Sequence, residues 1–76
     1  MREEILSILQ NIRPEADYAK SSNYIDDGLL DSFDLVALIS DIEDTLGIQI
    51  PITEIKQSNF ANIDTIISLI EQVKNK

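Results

Sequence analysis

The sequence contains no cysteine and no histidine. The first absence rules out disulfides, a cysteine-based zinc site and a thiol nucleophile. The second rules out a Ser-His-Asp triad and a histidine-ligated metal. Tryptophan is also absent, and there are only two glycines and two prolines. No apolar run approaches the length of a membrane span. The N-terminus, Met1-Arg2-Glu3-Glu4, is acidic and has no signal-peptide core. A cytoplasmic, free-standing protein is therefore expected, with no membrane insertion.

Positive charge is scarce as well. Six basic residues stand against fourteen acidic ones, a net charge of −8. Such a chain repels nucleic-acid phosphates and anionic membranes and attracts basic protein surfaces. The 76 residues suffice for one small domain, 1–76. A core of that size yields roughly 3–5 kcal/mol of net stability. A multidomain enzyme is excluded, and a deep walled active site is not expected. The hydrophobic content, 43%, is that of a folded globule.

Apolar residues recur at helical spacing in three places. Ile5, Ile8, Leu9 and Ile12 form a stripe over about Arg2–Arg13, which Pro14 stops. Leu35, Leu38, Ile39, Ile42 and Leu46 form a second stripe, from Asp31 or Ser32 to Gly47. Asp31 suits its N-cap, Asp34 completes a capping-box pattern, and Gly47 suits a left-handed C-cap. Ile63, Ile66, Ile67, Ile70 and Val73 form a third, opened by Asn62 as N-cap and running to about Lys74. Lys74 and Lys76 favour its C-terminal end.

Between the first two helices lies a long connection, Pro14 to Leu30, with Tyr24, Ile25, Leu29 and Leu30 expected to pin it to the core. Thr53 suits the cap of a short helical turn through Gln57. The expected fold is all-α: a small four-helix bundle of three longer helices and one short helix, with a long loop between helices 1 and 2.

Acidic residues concentrate on one region. Seven of the fourteen lie between Asp26 and Asp44, and no Lys or Arg occurs from Ser21 to Ile55. Asp34, Asp41 and Asp44 are expected to project away from the apolar stripe, with Glu43 on a flank. One reading is a solvated face that keeps a small protein soluble. The other is a docking face for basic partners. On the second reading, reversing the charge of Asp34, Asp41 or Asp44 slows association with little effect on folding. Phe33 and Val36 lie off the centre of the stripe. Phe33 either anchors a partner, or folds back onto the long loop or packs at the edge of the core. Leu35, Ile39, Ile42, Ile66 and Ile70 are the expected core.

An EF-hand does not fit. With Gly28 at the sixth position of the loop, Ile25 falls at the third and Asp34 at the twelfth. No metal site is expected, and paired-carboxylate catalysis is disfavoured because the acids line one helix and not a cleft.

Ser32 stands in Gly28-Leu29-Leu30-Asp31-Ser32-Phe33-Asp34-Leu35-Val36. A serine at a helix start is ordinary. Its context is not. An Asp-Ser-apolar triplet opens an acidic amphipathic helix that ends in Leu46-Gly47-Ile48-Gln49-Ile50-Pro51. This arrangement, in a chain of this length and charge, resembles the acyl carrier protein family of phosphopantetheine-dependent carriers.

The resemblance implies that Ser32 is the attachment serine for 4'-phosphopantetheine. A phosphopantetheinyl transferase delivers the arm from coenzyme A, and its terminal thiol holds cargo as a thioester. Asp31 and Phe33 flank the attachment point, with Asp31 contacting the transferase or capping the helix. Asp34, Val36, Asp41, Glu43, Asp44 and Ile55 are the docking residues it implies for the transferase, a loading ligase and downstream enzymes. Ile50, Ile55 and Phe60 are implied to lie near the arm or its cargo. The protein itself is not an enzyme and acts as a monomer.

Departures from the family's patterns inform the subtype. Ala37 stands where fatty-acid carriers often have a carboxylate, and the Gly-Gly of peptidyl carriers is missing. Gly28-Leu29-Leu30-Asp31-Ser32 and Pro51-Ile52-Thr53-Glu54-Ile55 are similar to D-alanyl carrier proteins, which usually have a small residue at Asp34 and a Trp near Ser58–Phe60. The favoured reading is an acyl or aminoacyl carrier of a specialised pathway, with a D-alanyl carrier as alternative. Outside the family, an unmodified acidic adaptor shares every surface feature and differs only at Ser32.

Overall fold

In a computed structural model, which describes residues 1–75, the chain forms three α-helices: α1 (Arg2–Ile12), α2 (Ser32–Leu46) and α3 (Ile63–Lys74). No strand occurs among the described residues. Lys76, expected to favour the C-terminal end of α3, lies outside them.

The helix ends follow local chemistry. Asp31 caps α2 in a full capping box with Asp34. Its carboxylate accepts the Asp34 N–H at 2.9 Å, and the Asp34 carboxylate accepts the Asp31 N–H at 3.1 Å. Asn62 and Thr65 do the same for α3. At the other end of α2, Gly47 adopts φ 65°, ψ 35°, the left-handed conformation that stops a helix at little steric cost. α1 runs one residue less than expected, to Ile12, and Arg13 is its C-cap.

Where the short fourth helix was expected, the chain makes two short 3₁₀ helical turns, Ile52–Glu54 and Gln57–Phe60. Thr53 lies inside the first and does not cap it. Pro51 precedes that turn, and the segment is too broken for i→i−4 bonding to propagate.

The core joins Ile5, Ile8 and Leu9 of α1, Leu38 and Ile42 of α2, and Ile66, Leu69 and Ile70 of α3. Tyr18, Tyr24 and Leu30 of the long connection, with Ile50 and Phe60 of the second, complete it. Expected core residues Ile42, Ile66 and Ile70 are fully buried. Leu35 and Ile39 are only half-buried, and Leu38 takes the centre. At ~100° per residue, α2 is turned toward its Leu38 side. That rotation brings Asp34 and Asp41 round to the edge of the buried face, and both are half-buried.

Ile50 and Phe60 are both core residues, closed off from solvent.

The long connection is held at both ends. The Tyr18 hydroxyl lies 2.9 Å from the Leu9 carbonyl oxygen and 3.0 Å from that of Arg13, joining the loop to the last turn of α1. The Tyr24 hydroxyl accepts the Ile63 N–H at 3.1 Å, and the Asn62 side-chain amide donates to the Ser22 carbonyl at 2.9 Å. These tie the loop to the start of α3. The two tyrosine rings meet edge to face, 5.1 Å between centroids. Burial pushes the Tyr18 hydroxyl up to about 12, and burial likewise raises Tyr24.

Candidate functional site

Ser32 is the first residue of α2 and is exposed. It sits between a cap that fixes the backbone and a helix whose N–H groups point toward it. A hydroxyl there is reachable by a second protein, and a helix start favours an anionic group. The Asp31 carboxylate already takes the N–H of Asp34. Of the two roles open to Asp31, capping is the one it fills in the free chain. That hydrogen bond holds its carboxyl below the usual carboxylate range, with the charge of Arg13 adding to it.

Asp34 is where sequence expectation and structure part. It is not a free acid on an outer face. Its side chain is 14% exposed and accepts from the Arg13 Nε at 2.8 Å, besides closing the capping box. The Arg13 guanidinium also reaches the Asp31 carboxylate at 3.4 Å and Glu15 at 3.5 Å. The Asp34 carboxylate raises the Arg13 pKa above its ordinary value. Glu43 is likewise engaged. Its carboxylate accepts the Ile50 N–H at 2.8 Å and fastens the segment after Gly47 back onto α2. Reversing Asp34 would therefore disturb the fold, contrary to the expectation that only association would change.

The exposed face of α2 is mixed. Phe33 is 87% exposed and Val36 is exposed beside it, so Phe33 does not fold onto the loop. Asp44 is exposed farther along, while Asp41 is half-buried. Across the second connection, Ile55 is exposed and Ile52 is 85% exposed. Sequence reasoning singled out Phe33, Val36 and Ile55 but passed over Ile52. The signal was there: an isoleucine directly after Pro51, outside any helical stripe. It passed over Arg13 as well, because its partners lie 18 and 21 residues away.

Three surface cavities among the described residues have linings that include neither Ser32 nor its neighbours. The most apolar, about 180 Å³, is lined by Arg2, Leu6, Tyr18, Ala19, Tyr24 and Ile63, at the opposite end of α1 from Arg13. The other two are lined by residues of α1 with Thr45, and by residues 58–72. No group of three or more acidic side chains among the described residues is arranged to hold a metal ion. No helix among them is long and apolar enough to cross a membrane.

An all-helical chain with an exposed serine opening a capped acidic helix is the architecture of a small carrier. The family model described as phosphopantetheine attachment site matches residues 2–72, and the chain belongs to that family. Its members are non-catalytic carriers that bind phosphopantetheine covalently through a serine. Among curated relatives, a D-alanyl carrier protein of Listeria welshimeri is 35% identical over 75 residues, covering 96% of each chain. D-alanyl carrier protein 2 of Lactiplantibacillus plantarum is 30% identical over 71 residues, 92% of this chain and 89% of that one. A D-alanyl carrier protein of Bacillus velezensis is 33% identical over 76 residues, 96% of each.

Proposed function

We propose that Ser32 carries the phosphopantetheine arm and that the whole chain, 1–76, works as one carrier domain for a small aminoacyl cargo, D-alanine being the first candidate. The observation that carries the assignment of the serine is its place: exposed, first in α2, behind an Asp31 cap. The cargo rests on three D-alanyl carrier relatives that align over nearly the full length. The departures at Asp34 and at the absent tryptophan keep a second reading, a carrier of another acyl or aminoacyl group in a specialised pathway.

The Ser32 Oγ bonds to the phosphorus of coenzyme A that bears pantetheine. The pyrophosphate P–O bond breaks and adenosine 3',5'-bisphosphate leaves. The hydroxyl proton passes to a base supplied by the transferase. The bound arm supplies a thiol that takes cargo as a thioester. The residues of this chain do the rest. Asp31 and Asp34 hold the first turn of α2. The macrodipole of α2 favours the phosphodiester. Phe33, Val36, Ile52 and Ile55 offer an apolar surface to partners, with Asp41 and Asp44 as charged flank. Tethering raises the effective concentration of cargo at each partner.

The implied partners are a phosphopantetheinyl transferase, a loading ligase and a downstream acceptor enzyme, met by a cytoplasmic monomer. The test is loading of the modified chain by a D-alanine-activating ligase, with L-alanine and a short fatty acid as competitors. Selective thioester formation with D-alanine supports the first cargo. Preference for another acid supports the second reading. An acidic adaptor would bind its partners equally well with Ser32→Ala.

A further inference from the structure

We propose that Arg13 is a positioning residue for modification of Ser32, acting by neutralising the carboxylates on either side of it. The inference rests on the assignment of Ser32. Asp31 precedes that serine by one residue and Asp34 follows it by two, so two negative charges flank the point where an anionic phosphodiester must form. Coenzyme A arrives with phosphates of its own. Left unscreened, the two carboxylates would oppose both substrate and product.

Arg13 answers both. It reaches from the C-cap of α1 across to the first turn of α2, bonding Asp34 through Nε at 2.8 Å and approaching Asp31 through a terminal nitrogen at 3.4 Å. It is the only basic side chain within ion-pair distance of that turn among the described residues. The segment around the serine offers no substitute, since residues 21–55 contain no Lys or Arg. Geometry also gives it a rigid seat. The Arg13 carbonyl oxygen lies 3.0 Å from the Tyr18 hydroxyl, and its N–H donates to the Leu9 carbonyl at 2.9 Å. The side chain remains 39% exposed, which leaves part of its guanidinium facing solvent beside the helix start. This links the long loop to the site. Loop and α1 place one cation where α2 supplies only anions.

The test is a double-mutant cycle on the rate of phosphopantetheine transfer from coenzyme A, read by intact mass. One arm removes the cation with Arg13→Gln. The other removes the carboxylate charges with Asp31→Asn and Asp34→Asn, and asparagine retains N-cap ability at position 31. Arg13→Gln in the parent is expected to lower kcat/KM about tenfold at low salt. In the uncharged background the same change is expected to cost less than about twofold. The ratio of parent to Arg13→Gln is also expected to shrink as ionic strength rises. Arg13→Lys is expected to recover most of the rate. Any direct contact of Asp31 with the transferase cancels within the cycle.

Equal losses from Arg13→Gln in both backgrounds would overturn the proposal and leave a purely structural role. So would no loss in the parent. If the double asparagine background fails to fold by circular dichroism, the cycle is run with Asp34→Asn alone, which removes the carboxylate Arg13 holds at 2.8 Å, and equal losses there overturn it in the same way. A parent chain that gains no phosphopantetheine on Ser32 would instead refute the assignment of the serine.

Discussion

Truncating Leu38 and Leu35 to alanine separates two possible orientations of α2. The sequence stripe centres between Leu35 and Ile42, yet in the fold Leu38 is fully buried while Leu35 is half-buried at the edge. Leu→Ala removes the equivalent of about three methylenes, ~2.4 kcal/mol of transfer free energy when fully buried. At Leu38 a cavity term adds to this, for a total of roughly 3–5 kcal/mol. At Leu35 about half of the transfer term applies and solvent reaches the gap, so ~1 kcal/mol is lost. A chain of this size has roughly 3–5 kcal/mol in all. Each kcal/mol moves the melting temperature by ~4–8 °C. Leu38→Ala is therefore expected to melt at least about 12 °C below the parent, or not to fold, and Leu35→Ala about 4–8 °C below it. Thermal and urea unfolding followed by far-UV circular dichroism measure both. Equal losses at the two positions, or a larger loss at Leu35, would refute the rotation of α2. They would also remove the reason Asp34 meets Arg13.

Asp34→Lys is expected to lower the melting temperature by several degrees, because it breaks the capping box and faces Arg13 with a like charge, whereas Asp44→Lys stays within about 0.5 kcal/mol of the parent. Equal melting of the two variants would contradict the difference in their surroundings. Gly47→Ala is expected to cost ~1 kcal/mol; a Cβ there meets nothing within 4 Å, so the cost is that of φ 65° in a residue with a side chain. An unchanged urea midpoint would argue against the left-handed cap. The Tyr18 pKa lies near 12 in the folded chain against an ordinary value of 10.0. The proton is thus held more tightly in the folded state. The stability this represents is complete below about pH 10 and lost as pH rises toward 12. Melts across that range are expected to fall in the parent and to fall less in Tyr18→Phe; parallel curves would contradict the buried hydroxyl.

Much of this fold is written in local pattern. The stripes at three- and four-residue spacing mark α1, α2 and α3, and Asp31, Gly47 and Asn62 mark their ends, because caps and faces depend on residues within one turn of each other. Ser32 stands out by the same logic, through its neighbours on either side. What the sequence hides is set by partners far along the chain. Leu38 outranks Leu35 only once α1 packs against α2. Leu69, outside the marked stripe, is buried because α3 turns that face inward. Phe60 becomes core because the second connection folds under the bundle. Asp34 and Glu43 look like surface acids until Arg13 and the Ile50 N–H reach them. Tyr18 gives no periodic signal, and its hydroxyl bonds depend on where the long loop closes.

The carrier reading turns on Ser32 as the proposed bearer of the arm. Intact mass after incubation with coenzyme A and a broad-specificity phosphopantetheinyl transferase, with Ser32→Ala alongside, tests it directly. The expected result is a gain of one phosphopantetheine in the parent, located by peptide mapping to Ser32, and no gain in the variant. Equal modification of Ser32→Ala, or a folded parent that takes up no phosphopantetheine, would contradict it.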